Sequence, residues 1–175
     1  MNQHRRKASE ITVDRLRETL FFDEQTGHIH LKRATPNGQK AAGDRVGSID
    51  FEGYDTVTVD KVRLRAHRIV WALHYGEWPN GSLDHINGVR TDNRVANLRI
   101  ANHSQNGANT LANRSNRHGT KGITPLPNGK WQAQIKCNGK ARYLGCFASK
   151  EEAAAVYAEA ARAAFGEFSG LERAA

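Results

Sequence analysis

The dipeptide Asn138-Gly139 constrains the fold of this chain more than any other feature, because it separates two stretches in which apolar and polar residues alternate, KWQAQIKC and KARYLGCF. Both residues adopt positive φ readily, so the pair favours a two-residue turn between antiparallel strands. A helix should follow, since Ser149 and Glu152 form a capping box before an alanine-rich run that ends at Gly166. We therefore predict a three-stranded antiparallel sheet packed on one helix in the C-terminal third.

The strand before this turn divides its side chains between two faces. The period of two directs Trp131, Ala133 and Ile135 towards the helix. Glutamine can pair with adenine, and lysine can bind guanine or phosphate, so the opposite face suits a nucleic-acid groove. The residues predicted to face outward are Lys130, Gln132, Gln134 and Lys136.

The N-terminal part of the chain shows the patterns of short helices and hairpins. Apolar residues at helical spacing predict a helix over residues 12–20 with Thr12 as its cap, and a second helix from about His67 to Tyr75. Thr26-Gly27 and Asp60-Lys61 are turn dipeptides that lie between apolar stretches. We therefore predict small antiparallel hairpins in this part, and an α+β fold for the whole chain.

The distribution of charge indicates a polyanionic partner. The formal net charge is +8, and residues 93–150 contain ten Lys and Arg but no Asp or Glu. Such a segment suits a surface that faces phosphates, because each Lys or Arg that contacts a phosphate releases counterions from the nucleic acid, whereas each carboxylate would repel the phosphates. A solvated basic face would normally keep some acidic residues. We therefore expect a nucleic acid as the partner.

The stretch SLDHINGVRTDNRVANLRIANHSQN, residues 82–106, is unusually rich in amides. Its pattern predicts a strand over 82–86, a turn-rich loop, a second strand over 97–101 and then a helix that Asn102 caps. This order of elements brings polar residues from two strands and a helix into one short region.

The same stretch holds residue types suited to phosphodiester hydrolysis, which needs a metal ion to neutralise charge on oxygen and a base to deprotonate water. Asp84 and Asn106 carry hard oxygen donors of the kind that magnesium prefers. His85 is the residue type that accepts a proton near neutral pH. Adjacent strand residues point to opposite faces, so Asp84 and His85 can serve one phosphate only if the strand ends or distorts there.

Residues 66–106 resemble the HNH endonuclease family, in the form found in phage and intron-borne homing endonucleases. The resemblance rests on AHRIVWALHYGEWP, DHINGVRTDNRVANLR and HSQN. It implies a ββα-metal fold in which Asp84 binds a divalent ion and His85 is the general base. Asn97 is then the middle asparagine of the motif, which braces the loop and orients the histidine.

The third position of that motif is an amide in this chain. Asn106 stands where a histidine gives the family its last letter, and His103 is the alternative third ligand. An amide oxygen is a weaker donor but still a hard one. The resemblance therefore implies one magnesium or manganese ion per chain, and we expect no structural zinc.

Several polar residues also have a structural interpretation. Asn93 and Asn97 are turn and cap formers, which favours a structural role for both. Arg99 either steadies the scissile phosphate, or is a plain phosphate contact or a solvated strand residue. His67 and His74 lie in or beside a helix with a core pattern, so structural roles are favoured for them as well.

Residues 121–166 resemble the plant ethylene-response-factor, or APETALA-type, DNA-binding domain, which is also found fused to HNH endonucleases. The matching features are GKW, LGCF, EEAA and the closing FG. Several arginines of that family are replaced here, so its recognition sequence does not carry over. The resemblance implies DNA contacts from Lys121, Thr124, Lys130, Gln134, Lys136 and Tyr143.

These patterns divide the chain into an HNH endonuclease domain over residues 1–112, with its ββα-metal core at about 82–112, a basic linker over 113–120 and a DNA-binding domain over 121–170. Two linker arginines, Arg114 and Arg117, are further candidates for phosphate contacts.

The function that we expect from these resemblances is a metal-dependent endonuclease that cuts double-stranded DNA, its partner, and is targeted by its C-terminal domain. The alternative is a non-catalytic, sequence-specific DNA-binding protein of transcription type with a relic HNH fold. No apolar stretch follows the basic N-terminus MNQHRRKASE. We therefore expect a cytoplasmic protein, a monomer or weak dimer, that does not span a membrane.

Overall fold

The computed structural model describes residues 11–110, 116 and 119–171. They form small antiparallel sheets and short helices, which confirms the α+β prediction. The chain consists of two compact units, residues 1–100 and 101–175. Most of the predicted linker, including Arg114 and Arg117, lies outside the described residues, so the domain boundaries stay a prediction. In the described ranges no helix is long and apolar enough to cross a membrane.

Over its described residues the first unit contains two α-helices and seven strands, and an eighth strand ends it. In chain order the elements are α1 (Val13–Thr19), β1 (Leu20–Phe22), β2 (Ile29–Leu31), β3 (Arg45–Val46), β4 (Ser48–Ile49), β5 (Asp55–Val59), β6 (Val62–Arg65), α2 (Ala66–Tyr75), β7 (Ser82–His85) and β8 (Leu98–Ala101). Three sheets result, with strand orders β1-β2-β3, β4-β5-β6 and β7-β8.

Local sequence accounts for the ends and turns of these elements. The Thr12 side chain accepts a hydrogen bond from the Arg15 backbone nitrogen at 3.2 Å and so caps α1, as predicted. Asp60 and Lys61 both have positive φ, at 48° and 68°, which joins β5 to β6 through the predicted two-residue turn.

The core of the first unit lies between α2 and the sheets that precede it. Ile69 and Val70 of α2 are fully buried, together with Leu16 of α1 and Ile29 of β2. Each such side chain contributes roughly 1.5–3 kcal/mol by leaving water. This core holds α2 in place immediately before β7, the strand that carries Asp84 and His85.

The second unit confirms the predicted sheet and helix. Its elements are α3 (His103–Asn109), β9 (Ile123–Pro125), β10 (Trp131–Cys137), β11 (Lys140–Phe147) and α4 (Lys150–Phe165), with the strands in the order β11-β10-β9. Asn138 and Gly139 have φ values of 49° and 79°, so the expected tight turn joins β10 to β11. Ala133 and Ile135 of β10 are buried in the clusters that α4 joins.

Candidate active site

The strand β7 ends in two buried polar residues, Asp84 and His85, each 5% exposed. A turn follows at once, because the Gly88 nitrogen donates a hydrogen bond to the His85 carbonyl oxygen at 2.8 Å. The strand therefore ends at His85, which is the condition under which adjacent residues can serve one substrate group.

The Asp84 carboxylate is held by an arginine on the neighbouring strand. Arg99 of β8 donates from Nε to Asp84 Oδ2 at 3.0 Å. The two side chains are 12% and 5% exposed, so this ion pair is screened little by solvent. Arg99 therefore fixes the orientation of the Asp84 carboxylate.

The His85 ring meets an amide that is itself buried. His85 Nε2 lies 3.2 Å from Asn93 Oδ1, and Asn93 has no exposed surface. Burial lowers the pKa of His85 below its ordinary value, whereas the hydrogen bond to Asn93 and the charge of Asp84 act in the opposite direction. Burial is the largest of these effects, so His85 is neutral near pH 7 and able to accept a proton.

Two further rings, those of His67 and Tyr54, pack around the His85 ring. The His67 ring lies edge-to-face against it, with 5.0 Å between centroids, and the Tyr54 ring centroid is 6.1 Å away. Tyr54 is covered by the guanidinium groups of Arg65 and Arg90, at 3.9 Å and 4.9 Å from its centroid. Burial lowers the pKa of His67 to about 3, so this neighbouring ring is also uncharged.

Asn97 braces the loop between the two strands. Its Oδ1 accepts from the Asn87 backbone nitrogen at 2.9 Å, and its Nδ2 donates to Asn87 Oδ1 at 3.0 Å and to the Asp92 carbonyl oxygen at 2.8 Å. Asp92 is further held by Arg94, and the side-chain hydrogen bond from Arg94 lowers the pKa of Asp92 to about 2. The loop is thereby fixed in shape where it leaves His85.

The other predicted metal ligands lie on α3, which belongs to the second unit. Asn106 is half-buried and His103 is exposed. Asn102 caps this helix through a capping box with Gln105, as the sequence predicted for its start. Within the described residues no group of three or more His, Cys, Asp or Glu is placed to hold a metal ion. The predicted donor set contains one carboxylate, from Asp84, and one amide, from Asn106, so it is not a cluster of that composition.

The predicted DNA contacts of the sheet lie mostly at its surface. Lys121 differs from them, because its Nζ donates to the carbonyl oxygens of Gly107, Ala108 and Thr110 at 2.7–3.0 Å and so caps the C-terminal end of α3. Gln132 is half-buried. The exposed members are Thr124, Lys130, Gln134, Lys136 and Tyr143.

The sequence alone missed the contact between Asn93 and His85. Asn93 was assigned to turn formation with the other amides of the loop, and nothing in its spacing from His85 marks it as a partner. Asn93 differs from the other amides of the loop in being completely buried, and this burial depends on the β1–β2 turn, which packs against the loop. Gly27 of that turn is so close that an added Cβ would lie 2.4 Å from the Asn93 carbonyl carbon.

A family model matches residues 64–108, and the family is described as HNH endonuclease. The site lies in this matched stretch, which we call the HNH segment. Asp84, His85, Asn93 and Asn97 all fall within this HNH segment, as does Asn106 of α3. The match ends before the β9–β11 sheet, so it leaves the C-terminal resemblance untested.

A viral protein is similar to part of this chain. An uncharacterized HNH endonuclease of Acanthamoeba polyphaga mimivirus is 29% identical over 114 residues, which make up 64% of this chain and 59% of that protein. This chain therefore matches less than two thirds of the relative's length. A solved structure, of DNA binding and cleavage by the HNH homing endonuclease I-HmuI, covers 71% of both chains with 20% identity and a TM-score of 0.39.

Proposed function

We propose that this protein is a metal-dependent DNA endonuclease that hydrolyses phosphodiester bonds. The observation that supports the proposal is the buried His85 imidazole at the end of β7, next to the Asp84 carboxylate and inside the HNH segment. A base of this kind needs a ring that is held in place and neutral before the reaction, and a neighbouring negative group that stabilises the imidazolium; these conditions meet at one strand end.

His85 acts as the general base in this proposal. The imidazole takes a proton from water, and the resulting hydroxide attacks the phosphorus atom, while the bond from phosphorus to the leaving oxygen breaks. The leaving oxygen takes its proton from solvent. Asn97 keeps the loop that follows His85 in one conformation, so the ring does not have to be ordered during the reaction.

Asp84 and Asn106 would hold the divalent ion, with His103 as the alternative to Asn106. The donors fit magnesium or manganese, since both are hard oxygens and one of them is a carboxylate. When bound, such an ion would neutralise the charge that develops on the phosphate oxygens. The sequence pattern alone supports Asn106 as a ligand, whereas both the pattern and the burial of the side chain support Asp84.

The second unit is proposed to target the cut, as an ethylene-response-factor-like domain. Its sheet presents Thr124, Lys130, Gln134, Lys136 and Tyr143 to solvent, which supports a DNA-reading role. The absence of Asp and Glu over residues 93–150 of the sequence is a second support. Joining the two modules raises the effective concentration of each at the DNA, so each can bind weakly alone.

Supercoiled plasmid tests the proposal. Intact protein with Mg²⁺ or Mn²⁺ should give nicked or linear product, and EDTA should abolish it. His85→Ala should lose cleavage, whereas His74→Ala, an exposed histidine of the same unit, should retain it. If the intact protein gives no product with any divalent metal but still binds DNA, the non-catalytic alternative replaces this proposal.

A further inference from the structure

Asn93 is a fully buried amide with an unusual hydrogen-bond balance. Oδ1 faces His85 Nε2, whereas Nδ2 is buried and, among the described residues, has no partner. A buried donor without a partner is unfavourable, so an apolar side chain of similar volume would serve packing better. What asparagine adds at this position is the acceptor that faces His85.

The chemistry of a general base requires an acceptor there. After the proton transfer the imidazolium carries N–H groups on both nitrogens, so the group that faces Nε2 must accept a hydrogen bond. Oδ1 meets this requirement in both protonation states. If the Asn93 amide were turned so that Nδ2 faced His85 Nε2, two N–H donors would face each other once the ring became protonated.

We propose that Asn93 is a positioning residue that fixes the tautomer of His85: Oδ1 accepts a hydrogen bond from Nε2–H, and the lone pair that takes the proton from water is on Nδ1. The inference rests on the proposed function in that His85 is the base. His67 supports the same orientation, because its ring lies edge-to-face against His85 at 5.0 Å and limits rotation of the imidazole.

The part of the chain that sets this tautomer extends beyond the HNH segment. The β1–β2 turn contacts the Asn93 backbone so closely that a Cβ on Gly27 would lie 2.4 Å from the Asn93 carbonyl carbon and the Arg94 nitrogen. The turn therefore fixes how far Asn93 reaches towards His85. The first hairpin, outside residues 64–108, becomes part of the apparatus that orients the base.

Nitrogen NMR of the full-length, metal-free protein tests the tautomer without any need for activity. Long-range ¹H–¹⁵N correlation above pH 7 distinguishes a protonated ring nitrogen from one with a lone pair, and His85→Gln identifies the His85 signals by their loss. We expect a protonated Nε2 with a slowly exchanging proton. In Asn93→Leu that protection should be lost and the two tautomers should mix, whereas Asn93→Asp, which keeps an acceptor, should retain Nε2–H.

Single-turnover cleavage gives the second readout. Asn93→Leu should lower the rate constant roughly 10- to 100-fold with the DNA dissociation constant unchanged, and Asn93→Asp should recover most of the rate. A wild-type ring protonated on Nδ1, or Asn93→Leu with unchanged His85 signals and rate, would overturn the inference. If Asn93→Leu does not fold, the wild-type and Asn93→Asp spectra decide it. A protein with the expected tautomer but no cleavage would instead refute the proposed function.

Discussion

Replacing Gly27 with alanine should impair both stability and catalysis, although the residue lies outside the HNH segment. Gly27 has φ +70°, and a Cβ there would lie 2.4 Å from backbone atoms of Asn93 and Arg94, whereas ordinary contact begins at 3.4 Å. The loop must therefore move by about 1 Å. A displacement of that size at a catalytic group can cost on the order of 100-fold in rate.

Gly38→Ala is the matched control for this substitution. Gly38 has φ +69°, nearly the same backbone conformation, but an added Cβ there meets nothing within 4 Å. The left-handed conformation costs an alanine roughly 1–2 kcal/mol at either position. Overpacking adds about 1–3 kcal/mol at Gly27 alone. The difference between the two variants therefore isolates the contact of the turn with the loop.

Urea unfolding and single-turnover DNA cleavage measure the two effects. Gly27→Ala should unfold at a clearly lower urea concentration than Gly38→Ala, and it alone should cleave DNA slowly. Equal unfolding midpoints, or full cleavage by Gly27→Ala, would refute the idea that the β1–β2 turn positions Asn93.

Three further substitutions test separate parts of the account. Asn97→Ala removes three side-chain hydrogen bonds and should lower the free energy of unfolding by about 2–4 kcal/mol, measured by urea titration. His67→Leu should remove part of the acid sensitivity of the fold. The folded pKa of about 3 lies below the unfolded value of 6.5, so the unfolded state binds more protons as pH falls and stability declines. From pH 7.5 to 5 this loss is about 2 kcal/mol for the parent, and thermal melts should show a smaller drop for the variant. Gln134→Ala should weaken DNA binding roughly 5- to 100-fold in a fluorescence anisotropy titration while the affinity for Mn²⁺ stays unchanged.

The parts of the fold that short-range rules govern were predictable from the sequence. The turns at Asp60-Lys61 and Asn138-Gly139 and the cap at Thr12 depend on a few neighbouring residues, and each has the predicted form. Asp84 and His85 were identified by their residue types and by the family pattern. Their burial at the end of β7 agrees with the condition that the strand must stop there.

The partners of the site were not predictable, because they come from distant parts of the chain. The approach of Gly27 to Asn93 spans 66 positions, and His67 and Tyr54 reach His85 from other elements. Lys121 was assigned to a DNA-reading surface by the resemblance of residues 121–166 to a DNA-binding domain, whereas its ammonium group donates hydrogen bonds to carbonyl oxygens at the end of α3. Long-range packing decides such contacts, and it leaves no periodic signal in the sequence.

Chemical rescue of His85→Ala tests directly whether the His85 imidazole takes the proton from water. The buried side chain leaves a space in which free imidazole can stand for the missing ring. With Mg²⁺ and plasmid DNA, the account predicts that added imidazole restores cleavage by His85→Ala in proportion to its concentration, and that it does not affect His74→Ala. Cleavage by His85→Ala at the parent rate without imidazole would contradict the account.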